Sequence, residues 1–301
     1  MNVNLIAYTD NNRINSIYRY INAMLTLDVL IATHTPSGLQ RVEAMQLPRL
    51  DGVRYIVSWQ QHGDAPVPES LAGRDDMTIL LLGQKGLSHN RNNAIESSTA
   101  DIYLIADDDL RYTPDQIEAV RRVFEENPAL DYASFMYVGK DGKVTKTYPA
   151  EECDLTKGLP KGFYQTSFEI AVRPRGLGAK LRFPAAFGLG SPWLHAAEEE
   201  MFLLTARKLD LNCRFFPIVI TTHSGPTTGR QGVISDPLVI RAWGAYLYFA
   251  YPLTYPARLL MKAKRLSGSG QAPFFKALKE LIHGLAIGMY KVNIPWKEAR
   301  R

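Results

Sequence analysis

Cysteine is scarce in this sequence of 301 residues, which contains only Cys153 and Cys213. The two lie far apart and form no CxxC pattern, which argues against a disulfide scaffold and against a zinc site. This scarcity is typical of a reduced, cytoplasmic setting, and we expect that setting here. The first residues also lack a basic segment followed by an apolar one, so no secretory signal is predicted.

Acidic residues are scarce near the end of the chain. Residues 239–301 carry 11 Lys and Arg but only 2 Asp and Glu, a net charge of +9. Because the whole chain has a net charge of +5, the remaining residues carry −4. The basic end could face an anionic membrane, nucleic acid or solvent. A nucleic-acid partner is not expected, because the rest of the chain is acidic and carries no recognition motif.

Long uninterrupted apolar runs are also absent. The most apolar stretch, residues 237–261, contains Arg241, Pro252, Pro256 and Arg258. A membrane-spanning helix needs about 20 apolar residues. We therefore interpret this stretch as an amphipathic or interfacial pair of helices.

From residue 28 onward, short apolar runs alternate with helical patterns. This alternation predicts a doubly wound α/β fold, with a mainly parallel sheet flanked by helices. The predicted strands are residues 28–33, 53–59, 77–82, 102–106, 132–138, 168–173 and 213–222. The predicted helices are residues 38–46, 88–98 and 197–209, one that begins after Thr113 and stops at Asn127, and two beyond residue 236 with a break at 267–273.

Three acidic residues, Asp107, Asp108 and Asp109, directly follow the predicted strand at residues 102–106. Ligands of open α/β sheets bind at the carboxyl ends of the strands. Adjacent carboxylates repel one another, and Mg²⁺ or Mn²⁺ prefers oxygen ligands of this kind. An acidic turn that caps the next helix is the alternative, but the buried strand favours a site for a metal and a diphosphate.

The segment GLSHNRN at residues 86–92 predicts a buried cation. Gly86 allows a tight turn, and Ser88 is the expected N-cap of the following helix. Arg91 lies on the apolar face of that helix and therefore needs an anion. Either the aspartates one strand away or a bound diphosphate could supply it, and the two interpretations are compatible.

Three glutamates, Glu198, Glu199 and Glu200, open a predicted helix. Carboxylates are favoured in the first turn of a helix without any catalytic role. Three in succession after the glycine-rich loop at residues 187–193 suggest that one faces a pocket, where it could act as a general base. His223 ends a strand before a Gly/Thr loop and is either structural or a ligand of metal or phosphate.

Together these segments resemble the glycosyltransferases of family 2, which have the GT-A fold. Five segments follow the order and spacing of that family over roughly residues 27–290: DVLIATH, GLSHNRNNAI, ADIYLIADDDL, FGLGSPWLHAAEEEMFLLTARKLDL and PIVITTH. The resemblance is to the bacterial polysaccharide-assembly branch. It implies inverting transfer of a sugar from a UDP- or GDP-linked donor to a saccharide or lipid-linked saccharide, with Mn²⁺ or Mg²⁺ as cofactor.

The resemblance also implies roles for single residues. Glu199 matches the catalytic acid of the family's ED motif; because the pair here is Glu-Glu, Glu198 and Glu200 are alternatives. The usual glycine before that pair is replaced by Ala197. The donor would be bound by Thr33, Gln60, Ser88, Arg91, Asp107 and Asp108. The metal would be bound by Asp107, Asp109 and His223.

We expect three parts in the chain. Residues 1–26 are an N-terminal extension or follow a start codon assigned too early. Residues 27–235 form the GT-A catalytic domain, with a donor half at about 27–138 and an acceptor half at about 139–235. Residues 236–301 form a basic helical region that could contact the inner face of the membrane.

Two other functions remain open. A nucleotidyltransferase would need a glycine-rich, basic phosphate loop after the first strand, whereas residues 33–41 contain one glycine and one arginine. A nucleotide-sugar-binding scaffold without activity is less consistent with intact acids at residues 107–109 and 198–200.

Overall fold

The computed structural model describes residues 24–223 and 236–300. The predicted extension at residues 1–26 therefore lies almost entirely outside the described residues, as does the Gly/Thr loop after His223.

Nine strands form a single sheet within the described ranges. They are β1 (Leu27–His34), β2 (Val53–Gln60), β3 (Met77–Leu82), β4 (Ile102–Asp107), β5 (Leu110–Arg111), β6 (Tyr132–Gly139), β7 (Cys153–Asp154), β8 (Ile170–Val172) and β9 (Cys213–His223). The strand order is β3-β2-β1-β4-β8-β6-β9-β5, and β7 pairs with β9.

The first four strands form the parallel part of the sheet. β1 pairs in parallel with β2 and β4, and β2 pairs in parallel with β3. Residues 27–33 of β1 are all buried, as expected for a strand covered on both faces. The four predicted strands agree with the observed bounds to within one residue, which confirms the predicted α/β sheet.

The rest of the sheet mixes both directions. β8 is antiparallel to β4 and β6, whereas β6 and β9 run parallel. The predicted strand at residues 168–173 is wrong in its first two residues, because Ser167–Glu169 form a 3₁₀ turn and the strand begins at Ile170. The side chains of Thr166 and Glu169 cap each other's backbone there, and this capping box starts a helical turn instead of a strand.

The helices flank the sheet and then form the C-terminal region. They are α1 (Gly38–Ala44), α2 (Glu69–Ala72), α3 (Leu87–Ser97), α4 (Pro114–Glu126), α5 (Glu198–Lys208), α6 (Pro237–Ala250), α7 (Tyr255–Gly268), α8 (Phe274–Tyr290) and α9 (Pro295–Ala299). The helix predicted to begin after Thr113 is α4, and the side chains of Thr113 and Gln116 form a capping box at its start.

Two apolar layers enclose the sheet. One contains the large buried side chains Tyr55, Trp59 and Phe124. The other contains Phe183 and Phe202, whose rings stack with centroids 4.1 Å apart. Both faces of the sheet are therefore occupied, and the polar side chains gather at the ends of its strands.

The C-terminal helices pack very closely. A Cβ atom added to Gly244 on α6 would lie 2.0 Å from the carbonyl oxygen of Leu281 on α8. The stretch at 237–261 forms a pair of helices, as predicted, and the predicted break at 267–273 lies between α7 and α8. Within the two described ranges, no helix is both long and apolar enough to cross a membrane.

Candidate active site

The carboxyl ends of β1, β2 and β4 form one polar edge. In the sheet register Thr33 lies opposite Trp59, and Ala32 lies opposite Asp107, so the predicted donor-binding positions are neighbours. Gln60 is buried, and its Oε1 accepts a hydrogen bond of 3.0 Å from the backbone nitrogen of Gly86. The parallel register thus brings residues distant in sequence to one edge.

Asp108 is held by Arg41, a residue that sequence reasoning did not assign to the site. The Nε and Nη2 atoms of Arg41 lie 2.9 and 2.8 Å from Oδ2 of Asp108, which also accepts a hydrogen bond from the Thr33 hydroxyl. Nη2 also donates to the carbonyl oxygen of His34 at 2.7 Å. Arg41 could have been considered from the sequence, because it lies in the first turns of the helix that follows β1.

Helix α1 approaches this edge closely because it begins at Gly38. A Cβ atom at that position would lie 2.6 Å from the Thr33 hydroxyl. Asn90, which sequence reasoning also missed, donates from Nδ2 to the Thr33 carbonyl oxygen at 2.8 Å. Its Oδ1 is buried and accepts no hydrogen bond from a described residue.

Arg91 lies at the centre of the site and is 4% exposed. Its Nη2 lies 3.2 Å from Oδ1 of Asp107, and its Nη1 lies 3.3 Å from Oε1 of Glu199 and 3.6 Å from Oε1 of Glu198. The predicted inward cation therefore pairs with one of the aspartates and also contacts two of the glutamates. Nη2 donates a further hydrogen bond, of 2.5 Å, to the hydroxyl of Ser167.

The prediction that Ser88 is an N-cap is wrong. The N-cap of α3 is Gly86, whose φ of 126° lies in a region that glycine adopts readily and L side chains rarely do. Ser88 lies in the first helical turn, where its hydroxyl donates to the carbonyl oxygen of Phe187 at 2.6 Å. Ser88 therefore fastens the glycine-rich loop at 187–193 beside the predicted donor site.

Asp107 and Asp109 face different basic side chains. Burial raises the pKa of the Asp107 carboxyl, an effect that Arg91 opposes and Asp109 strengthens. Oδ2 of Asp109 lies 3.2 Å from Nε2 of His223, which is itself buried. The three aspartates therefore diverge: Asp107 faces Arg91, Asp108 faces Arg41, and Asp109 faces His223.

One carboxylate oxygen of the cluster is suited to a cation. Oδ1 of Asp109 is buried and accepts no hydrogen bond from the residues that the structure describes. In the same ranges, no three acidic, histidine or cysteine side chains converge as a ready-made metal cage. Mg²⁺ is usually bound by one or two carboxylates together with substrate phosphates, so the chemistry of this donor set fits such an ion.

The three glutamates have different surroundings. The Glu198 side chain is 7% exposed and that of Glu199 is 19% exposed. Burial raises the pKa of Glu198, and Glu199 adds to the effect. Burial and Glu199 also raise the pKa of Glu200 to about 7, against the opposing charge of Lys262.

The residue before the glutamates, Ala197, has a backbone conformation that alanine rarely adopts. Ala197 has a φ of 66°, in the left-handed region that usually takes glycine. The alanine at this position therefore adopts a backbone conformation that the family's glycine would adopt without strain.

Comparison with known proteins supports both fold and class. A model of the family "Glycosyl transferase family 2" matches residues 67–175. No curated protein sequence matches the chain. Among solved structures, the crystal structure of S. aureus TarS 1-349 is similar, with 14% identity and a TM-score of 0.56 over 88% of this chain and 90% of that chain. TarS 1-349 in complex with UDP-GlcNAc gives 14% identity and a TM-score of 0.53 over 91% and 90%. These likenesses confirm the predicted GT-A fold.

Proposed function

We propose that this chain, a glycosyltransferase with a family-2 segment and the GT-A fold, transfers a sugar from a nucleoside-diphosphate donor to a saccharide or lipid-linked saccharide acceptor. The observation that carries the proposal is the position of Arg91 between Asp107 and Glu199. One guanidinium is then close both to the acids expected at the donor diphosphate and to the carboxylates expected at the acceptor.

We infer a UDP-linked donor as the first candidate. The solved complexes of TarS 1-349 contain UDP and UDP-GlcNAc. In this chain Thr33 and Gln60, at the ends of β1 and β2, are proposed to bind the nucleoside, and Ser88 and Asp108 complete the donor side. A GDP-linked donor remains an outcome of the test below.

A divalent cation, Mn²⁺ or Mg²⁺, fits the acidic cluster. We propose that Asp107, Asp109 and His223 would hold it, because Oδ1 of Asp109 is buried and accepts no hydrogen bond from the described residues. When bound, the cation supplies Lewis-acid stabilisation of the leaving diphosphate.

The chain's own residues account for the remaining steps. Glu199 is proposed to accept the proton of the acceptor hydroxyl, because it is more exposed than Glu198 and adjoins Arg91. Glu200 is the alternative, since a pKa of about 7 suits a base at neutral pH. Arg91 is proposed to stabilise the negative charge that develops on the leaving diphosphate. The acceptor oxygen is proposed to attack the anomeric carbon from the face opposite the leaving diphosphate, which inverts the configuration of that carbon.

The first test is thermal stability with a panel of nucleoside diphosphates, with and without Mn²⁺. A ligand that binds only the folded protein must raise its melting temperature. We expect UDP to raise the melting temperature only when Mn²⁺ is present. In a separate turnover assay, we expect the protein to release UDP from a UDP-sugar. Release of pyrophosphate would instead indicate a nucleotidyltransferase, and binding without turnover would indicate an inactive scaffold.

The metal proposal has its own variant. Asp109→Ala should abolish metal-dependent turnover, because it removes the unpartnered oxygen and the partner of His223. Asp75→Ala is the matched control, since that carboxylate is 88% exposed and pairs with Arg49 away from the site. Normal metal-dependent turnover by Asp109→Ala would contradict the proposed metal site.

We also propose that the basic region at residues 236–301 contacts an anionic membrane, where lipid-linked acceptors lie. Leu253 is 93% exposed and Phe275 is 82% exposed. Leu253 lies in the turn between α6 and α7, and Phe275 lies on α8. The same region carries exposed basic side chains, including Lys264 on α7 and Lys276 on α8. Apolar side chains that insert and cations that attract anionic headgroups are the combination such a surface needs.

Liposome sedimentation tests this contact. The double variant Leu253→Ser/Phe275→Ser should lose binding to vesicles containing anionic lipid. Leu81→Ser is the control, because Leu81 is also exposed, at 61%, but lies on β3. Equal sedimentation of the double variant and the wild type would contradict the membrane proposal.

A further inference from the structure

A buried ion pair lies outside the residues assigned above. Nζ of Lys146 lies 2.5 Å from Oε2 of Glu169 and donates to the carbonyl oxygen of Tyr164 at 2.6 Å. The two charged side chains are 1% and 0% exposed. Because burial of two charges often costs more than their attraction returns, such a pair suggests a role beyond stability.

Aromatic rings enclose the lysine. Its Nζ lies 4.4 to 5.7 Å from the centroids of four rings, those of Tyr137, Tyr148, Phe163 and Tyr164. The Tyr148 hydroxyl also donates to Oε1 of Glu169. Both oxygens of Glu169 are therefore engaged, and the carboxylate is held in one orientation.

Glu169 in turn fixes the 3₁₀ turn at residues 166–169. Its Oε2 accepts hydrogen bonds from the backbone nitrogen of Thr166 at 2.6 Å and from the Thr166 hydroxyl at 2.7 Å. The carboxylate that pairs with Lys146 is thus the same one that closes the turn.

The two residues inside this turn, Ser167 and Phe168, contact the basic side chains that face the aspartates. The Ser167 hydroxyl accepts the 2.5 Å hydrogen bond from Arg91, which faces Asp107. The Phe168 ring stacks on His223, which faces Asp109, with centroids 5.4 Å apart and planes inclined by 21°.

We propose that Lys146 and Glu169 are positioning residues, which act through the 166–169 turn to hold Arg91 and His223 opposite Asp107 and Asp109. This inference rests on the proposed function for its catalytic meaning. Neither residue touches the reacting atoms: the pair fixes the turn, and the turn orients the two basic groups. A misplacement of about 1 Å at a positioned catalytic group can lower the rate about 100-fold, even when the substitution lies far from the chemistry.

Ser167→Ala is the mild variant. It removes one acceptor of Arg91 and should lower kcat about tenfold, with a smaller change in KM for the donor. Ser134→Ala is the matched control, because Ser134 is equally buried and its hydroxyl has no hydrogen-bond partner among the described residues. An unchanged kcat in Ser167→Ala would overturn the proposed role of the turn.

The double variant Lys146→Met/Glu169→Gln tests the pair itself. Removing both charges together leaves neither of them buried alone, so the fold should survive. The readout is the NMR signal of the His223 ring, identified by its loss in His223→Gln. We expect that signal to shift, although neither substituted residue is in the stacked Phe168–His223 pair.

The control for the pair is Arg74→Met/Asp76→Asn. That ion pair is also largely buried, with side chains 13% and 14% exposed, and lies at the start of β3. It should leave the His223 signal in place. An unmoved His223 signal in the Lys146/Glu169 variant would overturn the proposal. Absence of turnover in the wild type would contradict the proposed function alone, since the NMR comparison needs no substrate.

Discussion

The part at residues 24–223, which contains the candidate active site, and the C-terminal region at 236–300 are held together in different ways. In the first part, buried Arg91 and Lys146 are each paired with carboxylates. In the C-terminal region, α6 and α8 meet backbone to backbone at glycines. The candidate site depends on polar partners placed at fixed distances, whereas the contact between α6 and α8 depends on glycines that leave room for the facing backbone.

The difference also appears at the surface. Several large apolar side chains of the C-terminal region are exposed, notably Leu253, Phe275 and Tyr290. Because α6 and α8 meet at glycines, we expect stability in the C-terminal region to respond to side-chain volume, whereas activity at the candidate site should respond to charge.

The largest expected effect is on helix packing. Gly284→Ala places a Cβ atom 1.8 Å from the carbonyl oxygen of Arg241, so α6 and α8 must separate. We expect the free energy of unfolding to fall by about 3 kcal/mol, measured by denaturant titration. Gly268→Ala is the control, because no atom lies within 4 Å of its Cβ position, and it should change stability by less than about 1 kcal/mol. Equal free energies of unfolding for Gly284→Ala and Gly268→Ala would contradict the proposal that Gly284 allows α6 and α8 to pack closely.

The regular part of the fold could be predicted from the sequence. β1 and β4 are short apolar runs, and burial on both faces is what such runs favour. The acids at 107–109 could be located because the end of a parallel strand defines where they lie. These predictions depend only on neighbours along the chain.

The missed parts of the site depend on contacts between distant segments. Arg41 and Asp108 are 67 residues apart, and Arg91 and Ser167 are 76 apart. Ser167 lies in a stretch without helical or strand periodicity, so its burial could not be inferred. The glycine before α3 shows the same limit, because Gly86 and Ser88 are both acceptable N-caps by type and only the backbone angle decides.

Glu200 on α5 carries a half-buried carboxyl that lies within electrostatic range of Lys262 on α7. Its pKa is raised from 4.5 to about 7, so the folded protein binds the proton more tightly than the unfolded chain does. The resulting stability is fully present below pH 4.5 and is lost as pH rises through about 7.

Glu200→Gln removes this dependence. The free energy of unfolding of the wild type, relative to the variant, should fall by up to about 3 kcal/mol between pH 4.5 and pH 7 or above. Denaturant titrations at several pH values measure it. If the free energies of unfolding of the wild type and Glu200→Gln change in parallel with pH, the Glu200 carboxyl is solvated. The two regions would then not enclose this carboxyl between them.

The smallest expected effect lies where the two regions are joined. Oδ1 of Asp236 accepts a hydrogen bond from the backbone nitrogen of Leu238 and caps α6. Its Oδ2 lies 2.6 Å from Nδ1 of His195, in the loop before the glutamates. Asp236→Asn keeps the cap, because asparagine caps helices about as well as aspartate does. It loses only the charged partner of His195, so the free energy of unfolding should fall by about 1 kcal/mol.

Asp236→Ala, by contrast, removes cap and charge together and should cost about 2 kcal/mol. Thr113→Ala on α4 isolates a cap that makes no such link, and should cost about 1 kcal/mol. If Asp236→Asn is as stable as the wild type while Asp236→Ala and Thr113→Ala lose equal stability, Asp236 serves only its own helix. The contact between His195 and Asp236 then adds no stability between the loop before Glu198 and the C-terminal region. The two regions would then differ in how they are stabilised even where they meet.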